Sequence, residues 1–281
     1  MTNLKDWIGR TETLVDDITA FPVQGLAATL DTPMPRPEAG FPLPPLWHWM
    51  YFLTTAPQSD MTADGHPKRG GFLPPVDLPR RMWAGSQIEF MAPITVGSRM
   101  TRLSTIADVT QKDGRSGQLV FVKVRHEYRA EGDDAVALRE FHDIVYRPAA
   151  TPSDPVVAPL PAPEGATWSK TYKADDVFLF RYSALTFNGH RIHYDRPYVT
   201  GVEGYPGLIV HGPLQATLLL ELIRQNAPDK KLKTFRFRAI RPTFDINPFT
   251  MNARLEEGGR VKLWGQDHEG CLTMDGEAEI V

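Results

Sequence analysis

Apolar positions along this chain change their period several times, and each change predicts an element. Leu4, Trp7, Ile8, Leu14, Val15 and Ile18 recur near helical spacing, which predicts an amphipathic helix ending before Pro22. A second short helix is expected over residues 25–30. Six prolines between positions 33 and 45 forbid regular structure there. Residues 46–53 (LWHWMYFL) are apolar almost all round and predict a short buried helix. Residues 57–81 then form a long loop carrying Lys68, Arg69, Arg80 and Arg81, and a loop of that length in a compact domain tends to have a job.

From Ser86 onward the texture changes to that of strands. Residues 87–90, 99–111, 118–129 and 136–146 are rich in β-branched and aromatic side chains, with Gly- and Asp-rich turns between them. Residues 151–165 hold five prolines and little core material, so they read as a linker between a half spanning 1–150 and one spanning 166–281. The second half opens on a polar segment, passes through the apolar helical run 214–223, and ends in strands at 234–241, 249–256, 261–267 and 271–280. Both halves thus follow one plan of loop, apolar helix and long antiparallel strands. On pattern alone this allows either a generic α+β pair or a double hotdog, in which each curved sheet wraps one helix.

Composition narrows the setting. Over 281 residues, 42% apolar and 23% charged content is that of a globular chain with a full core. A net charge of −3 argues against nucleic acid as a partner. One cysteine, Cys271, rules out an internal disulfide framework and reads as a small buried residue on a late strand. Residues 1–20 lack a continuous apolar stretch of the signal-peptide kind, and the greasiest window, 207–223, is interrupted by His211, Pro213 and Gln215. The expectation is a cytoplasmic protein with no membrane contact.

Candidate chemistry is concentrated between residues 180 and 213. Asn188 to Arg196 carries two histidines, a carboxylate, a carboxamide, two arginines and a tyrosine. Val210-His211-Gly212-Pro213 then opens the apolar helical run. Proton-handling groups beside a helix-opening glycine suit chemistry on an activated carbonyl compound. His190, His193, Asp195 and His211 also form a tempting metal set, but two histidines three apart match no strong zinc spacing, and no metal or cofactor is expected.

The run from Phe180 to Asp195, with Gly204-Tyr205-Pro206-Gly207 and His211-Gly212-Pro213-Leu214, resembles the MaoC-like hydratase and dehydratase superfamily. The resemblance is strongest to its mesaconyl-C4-CoA/itaconyl-CoA hydratase branch and to the mitochondrial hydroxyacyl-thioester dehydratases. It is strong over about residues 170–225 and looser around Arg81-Met82-Trp83-Ala84-Gly85. It implies a double hotdog whose second half keeps the catalytic loop and whose first half has lost it. The family pattern carries Asp where this chain has Asn188, and Asn where it has His190.

On that resemblance the chain is expected to be a hydro-lyase that reversibly hydrates an unsaturated acyl-CoA, with itaconyl-CoA or mesaconyl-C4-CoA giving citramalyl-CoA, as in itaconate degradation. A general hydroxyacyl-thioester dehydratase, a thioesterase and a non-catalytic acyl-CoA binder are the alternatives. His193 is the expected acid/base. Asn188 either orients water, since it cannot accept a proton, or stabilises the turn. Gly212 either offers its N–H to the thioester oxygen or only lets strand become helix. Asp195 orients the imidazole or caps the loop, and His190 and His211 form active-site wall or structure. Arg181 and Arg191 meet a substrate carboxylate, a CoA phosphate or solvent, and Arg80 and Arg81 are phosphate candidates. Tyr182 and Tyr194 line the acyl pocket or the core. Hotdog sheets extend edge to edge, so a homodimer is expected.

Overall fold

A computed structural model describes residues 3–114, 117–149 and 158–281. Chain order runs β1 (Thr11–Asp17), α1 (Ala20–Thr29), β2 (Arg80–Phe90), β3 (Arg99–Gly114), β4 (Gly117–Ala130) and β5 (Leu138–Arg147). It continues with β6 (Trp168–Tyr172), α2 (Asp176–Leu185), α3 (Arg196–Gly201), α4 (Gly212–Asn226), β7 (Leu232–Ala239), β8 (Phe249–Leu255), β9 (Arg260–Gln266) and β10 (Leu272–Ile280). The ten strands form one antiparallel sheet in the order β1-β3-β4-β5-β2-β7-β10-β9-β8-β6. Five strands on each side repeat one order: first, third, fourth, fifth, second. The two second strands meet at the centre, where β2 pairs with β7 from Gly85↔Arg238 to Glu89↔Thr234.

This is the α+β double hotdog. In the second half α4 runs across β6, β8 and β9. Every residue from Leu214 to Ile223 on α4 is buried, Gln215, Thr217 and Glu221 included, because the sheet curls around the helix. Gly25 on α1 lies so close to Leu185 on α2 that a Cβ there would sit 2.7 Å from the leucine Cδ2. Small size at position 25 therefore lets the first half's helix dock onto the second half's.

Three expectations are corrected. The helix expected over 4–18 is a single turn at Leu4–Trp7 followed by strand β1. Gly9, at φ 87°, breaks the helix, and the alternating residues after it pair with the edge of β3. Residues 46–53 form only a short 3-10 turn, Trp47–Met50, bounded by Leu46 and Phe52 at positive φ. Side-chain bonds hold that turn: His48 Nε2 lies 3.2 Å and Trp49 Nε1 3.1 Å from the Glu140 carboxylate, which is buried on β5. Cys271 is half-buried just before β10 rather than in the core.

Residues 151–157 of the expected linker lie outside the described residues. The remainder is pinned to the β9–β10 turn: Leu160 accepts from Leu272 N–H and Ala162 donates to the Gly270 carbonyl. Among the described residues no helix is long and apolar enough to cross a membrane.

Candidate active site

The polar segment folds around two helix starts. Asp175 accepts the Phe178 N–H and caps α2; Asp195 accepts the Tyr198 N–H and caps α3, with Pro197 in its first turn. Between them the chain turns through Asn188, whose Oδ1 accepts the His190 N–H at 3.0 Å. It then makes one 3-10 turn, Arg191–His193. That turn is tied to the segment leading into α4, because Ile209 donates its N–H to the Ile192 carbonyl and accepts the His193 Nδ1–H at 2.7 Å. One backbone residue thus sets the tautomer of His193: Nδ1 carries the proton and Nε2 keeps its lone pair.

His193 stacks on His211 with ring centres 3.7 Å apart, and His211 is the residue at the cap of α4, immediately before Gly212. Imidazole and helix N-terminus are therefore adjacent. The Gly212 N–H makes no hydrogen bond among the described residues, as expected at the first helical position. A Cβ at Gly212 would meet nothing within 4 Å, so the glycine borders open space. His211 Nε2 lies 2.8 Å from Ser183 Oγ on α2, while its buried Nδ1 has no partner among the described residues.

Burial keeps these imidazoles neutral. It pulls the His193 pKa down to about 4, opposed by the Ile209 carbonyl and reinforced by the His66 ring. The same desolvation brings His190 down to about 2, helped by His66 and His193, and His211 well below its ordinary value. A neutral His193 with a free Nε2 is competent as a base at neutral pH.

Other candidates divide by their partners. Tyr182 is fully buried beside the His211 ring, 5.0 Å between centres. Asp195 receives Arg191 at 2.7 Å as well as capping α3, so its partners are an arginine and a helix end rather than His193. Arg191 also stacks over Tyr198 and donates to the Ala63 carbonyl. Arg80 pairs with Glu203 at 3.2 Å, which matches its charge within the protein. Arg81 lies beside the Tyr146 hydroxyl, and its charge is felt at His190. Arg181 is exposed on α2, and Tyr194 is exposed with its hydroxyl on the Gly189 carbonyl.

The structure adds two residues that sequence reasoning missed, Asp64 and His66. They sit on the long connection of the first half, which ends at residue 79 rather than 81 because Arg80 and Arg81 already pair within β2, in a turn clipped to the catalytic segment by the Arg191 N–H to Asp64 carbonyl bond of 2.9 Å. Gly65, at φ 88°, makes this possible, since a Cβ there would lie 1.8 Å from the Gly189 carbonyl oxygen. His66 Nδ1 bonds Asp64 at 2.9 Å, and its ring centre is 3.9 Å from that of His190. The bond to His66 holds the Asp64 carboxyl far below the usual carboxylate range. Loop length was the signal available in sequence; nothing there indicated which residue it delivered.

Asp64, His66 and His190 bring one donor atom each within 4.8 Å and are the metal-capable set at this site among the described residues. Asp64 is already spent on Nδ1 of His66. A cation would then have two imidazole nitrogens, fewer than the three protein ligands usual for zinc.

Residues 46–245 match the family model described as hydroxyacyl-thioester dehydratase type 2. The chain is 47% identical to a mesaconyl-C(4)-CoA hydratase of Chloroflexus aurantiacus, over 98% of this chain and 96% of the relative. It is 25% identical to the mitochondrial hydroxyacyl-thioester dehydratase type 2 of Schizosaccharomyces pombe, over 84% and 87% of the two chains. Among solved structures, a MaoC-like dehydratase from Phytophthora capsici superposes with a TM-score of 0.69 at 15% identity, covering 100% of this chain and 98% of that one.

Proposed function

The chain belongs to the hydroxyacyl-thioester dehydratase type 2 family, and on that premise we propose that it reversibly hydrates an α,β-unsaturated acyl-CoA. In the hydration direction His193 Nε2 takes a proton from water as the oxygen bonds to the β-carbon. The Gly212 N–H, with the α4 dipole behind it, holds the thioester oxygen while enolate charge develops. Closing the reaction requires a proton at the α-carbon. The single observation that carries this reading is the stacking of His193, tautomer fixed and Nε2 free, against the residue that precedes the open-faced Gly212.

The acyl group we propose is a branched C5 half-thioester: mesaconyl-C4-CoA first, giving citramalyl-CoA directly, and itaconyl-CoA second, whose double bond lies β,γ to the thioester and is first brought into conjugation by proton removal at the α-carbon and return at the γ-carbon. The 47% identity to a hydratase so named supports the first. The free carboxylate of such a substrate needs a cation, and Arg81, whose charge reaches His190, is the candidate; Arg191 is already matched by Asp195. A general hydroxyacyl-thioester dehydratase is the second reading, supported by the fission-yeast relative. A thioesterase is disfavoured, because Asp195 on the catalytic segment and Asp64 on the loop clipped to it are both committed to other groups.

The test is hydration of mesaconyl-C4-CoA, itaconyl-CoA and crotonyl-CoA, followed as the gain of one water by mass and compared by kcat/KM. His193→Gln is expected to lower kcat by about 10²–10⁴-fold in a folded chain. Preference for crotonyl-CoA over both C5 substrates refutes the dicarboxylate assignment. Release of free CoA in place of hydration refutes the reaction itself.

A further inference from the structure

Hydration moves two protons, one off water and one onto carbon, and the polar side chains next to His193 on its own loop do not share this work. Asn188 cannot accept a proton, and its oxygen is occupied by the His190 N–H. His190, at the adjoining position, has a pKa of about 2 and so does not hold a proton near neutrality. Within the second half, then, the site is short of one acid/base group.

The first half delivers one. His66 sits on a turn held to the catalytic segment by the Arg191–Asp64 backbone bond and by the close approach of Gly65 to Gly189. It is built as His193 is built. In each, Nδ1 is fixed by an oxygen, the Asp64 carboxylate at 2.9 Å or the Ile209 carbonyl at 2.7 Å, which leaves Nε2 as the working atom. The two partners differ in kind: His66 faces an anionic carboxylate, which complements an imidazolium, whereas His193 faces a neutral carbonyl. The His66 side chain is also 24% exposed, which gives it contact with solvent for proton exchange. Facing it are His190 at 3.9 Å, then His193, itself 5.5 Å from His190, with the Arg81 charge nearby.

We propose that His66, oriented by Asp64, is the second catalytic acid/base, contributed to the site across the two halves of the chain. The inference rests on the hydratase reading. In hydration, water gives a proton to His193 Nε2 as its oxygen bonds the β-carbon. The π pair of the alkene passes to the α-carbon through the thioester enolate, and the His66 imidazolium places its Nε2 proton on that carbon. His193 then releases a proton to solvent and His66 takes one up, so the net change is one water added.

The experiment uses the full chain on whichever enoyl-CoA the wild type hydrates. His66→Ala is expected to lower kcat by about 10²-fold or more with KM within about threefold, and added imidazole is expected to restore part of the rate. If that variant melts early, His66→Gln, which keeps bulk and an N–H for Asp64, is read in its place with the same loss. Asp64→Asn is expected to lower kcat about tenfold or more, because the imidazolium loses its anionic partner. Wild-type kcat in the His66 variants overturns the proposal, as does a loss confined to KM. Loss of wild-type activity to a chelator, with return on adding zinc, overturns it too by making the cluster a ligand set. A wild type inert on every enoyl-CoA refutes the function instead, which keeps the two failures apart.

Discussion

Acid should loosen this protein through the same histidine that the chemistry needs. His193 has an ordinary pKa of 6.5 in the unfolded chain and about 4 when buried. The unfolded state therefore takes up a proton from about 6.5 downward, while the native state resists until near 4. A depressed histidine leaves stability intact above the unfolded value and erodes it as pH falls through the window below. At about pH 5 the unfolded ring is almost fully protonated and the native ring about one-tenth so, which makes the loss from about pH 7 to about pH 5 roughly 2 kcal/mol for this one group. The assay is urea unfolding at the two pH values for wild type and His193→Gln, a variant that stays neutral throughout. His190 and His211 are depressed mainly by burial and remain in both proteins, so the difference isolates position 193. Wild type is expected to lose about 2 kcal/mol more than the variant. Equal losses would mean that His193 is not buried neutral, and the argument for its free Nε2 would go with it.

Three further outcomes follow from geometry. Gly212→Ala meets open space in the protein, so thermal stability should stay within about 0.5 kcal/mol of wild type, while kcat/KM falls about tenfold or more because the methyl enters the acyl space. An unchanged kcat/KM would remove Gly212 from the site. Asn188→Asp keeps the oxygen that accepts the His190 N–H, so substantial activity should survive in the steady-state assay; collapse of kcat would show that the amide N–H₂ is needed. Gly65→Ala forces a Cβ into the Gly189 carbonyl at a positive φ, and should cost about 1–3 kcal/mol in urea unfolding and lower kcat by detaching His66.

Much of the architecture lay in the pattern of the side chains. β-Branched and aromatic residues set between Gly- and Asp-rich turns marked β3, β4, β5 and the last four strands to within a few residues, because such side chains pack well on a pleated surface and the turns end each strand. The apolar run of α4 marked a helix that the sheet surrounds. The N-terminus misled, since Leu14, Val15 and Ile18 fit both periods and only the free edge of β3 chose the strand. The aromatic stretch 46–53 misled for a related reason: its burial was right, but the Glu140 carboxylate and two positive-φ residues made it a turn.

Residue chemistry and spacing by themselves determined which segment carries the reactive groups, because a dense polar loop before an apolar helix is written locally. They did not determine which groups work together. Fixing His193 by the carbonyl of Ile209, sixteen residues away, joining Asp195 to Arg191 and the α3 cap, and bringing His66 from the other half to His190 all depend on contacts between distant stretches. Tautomer, burial and proton affinity are properties of an environment, and that environment exists only once the two halves have closed on each other.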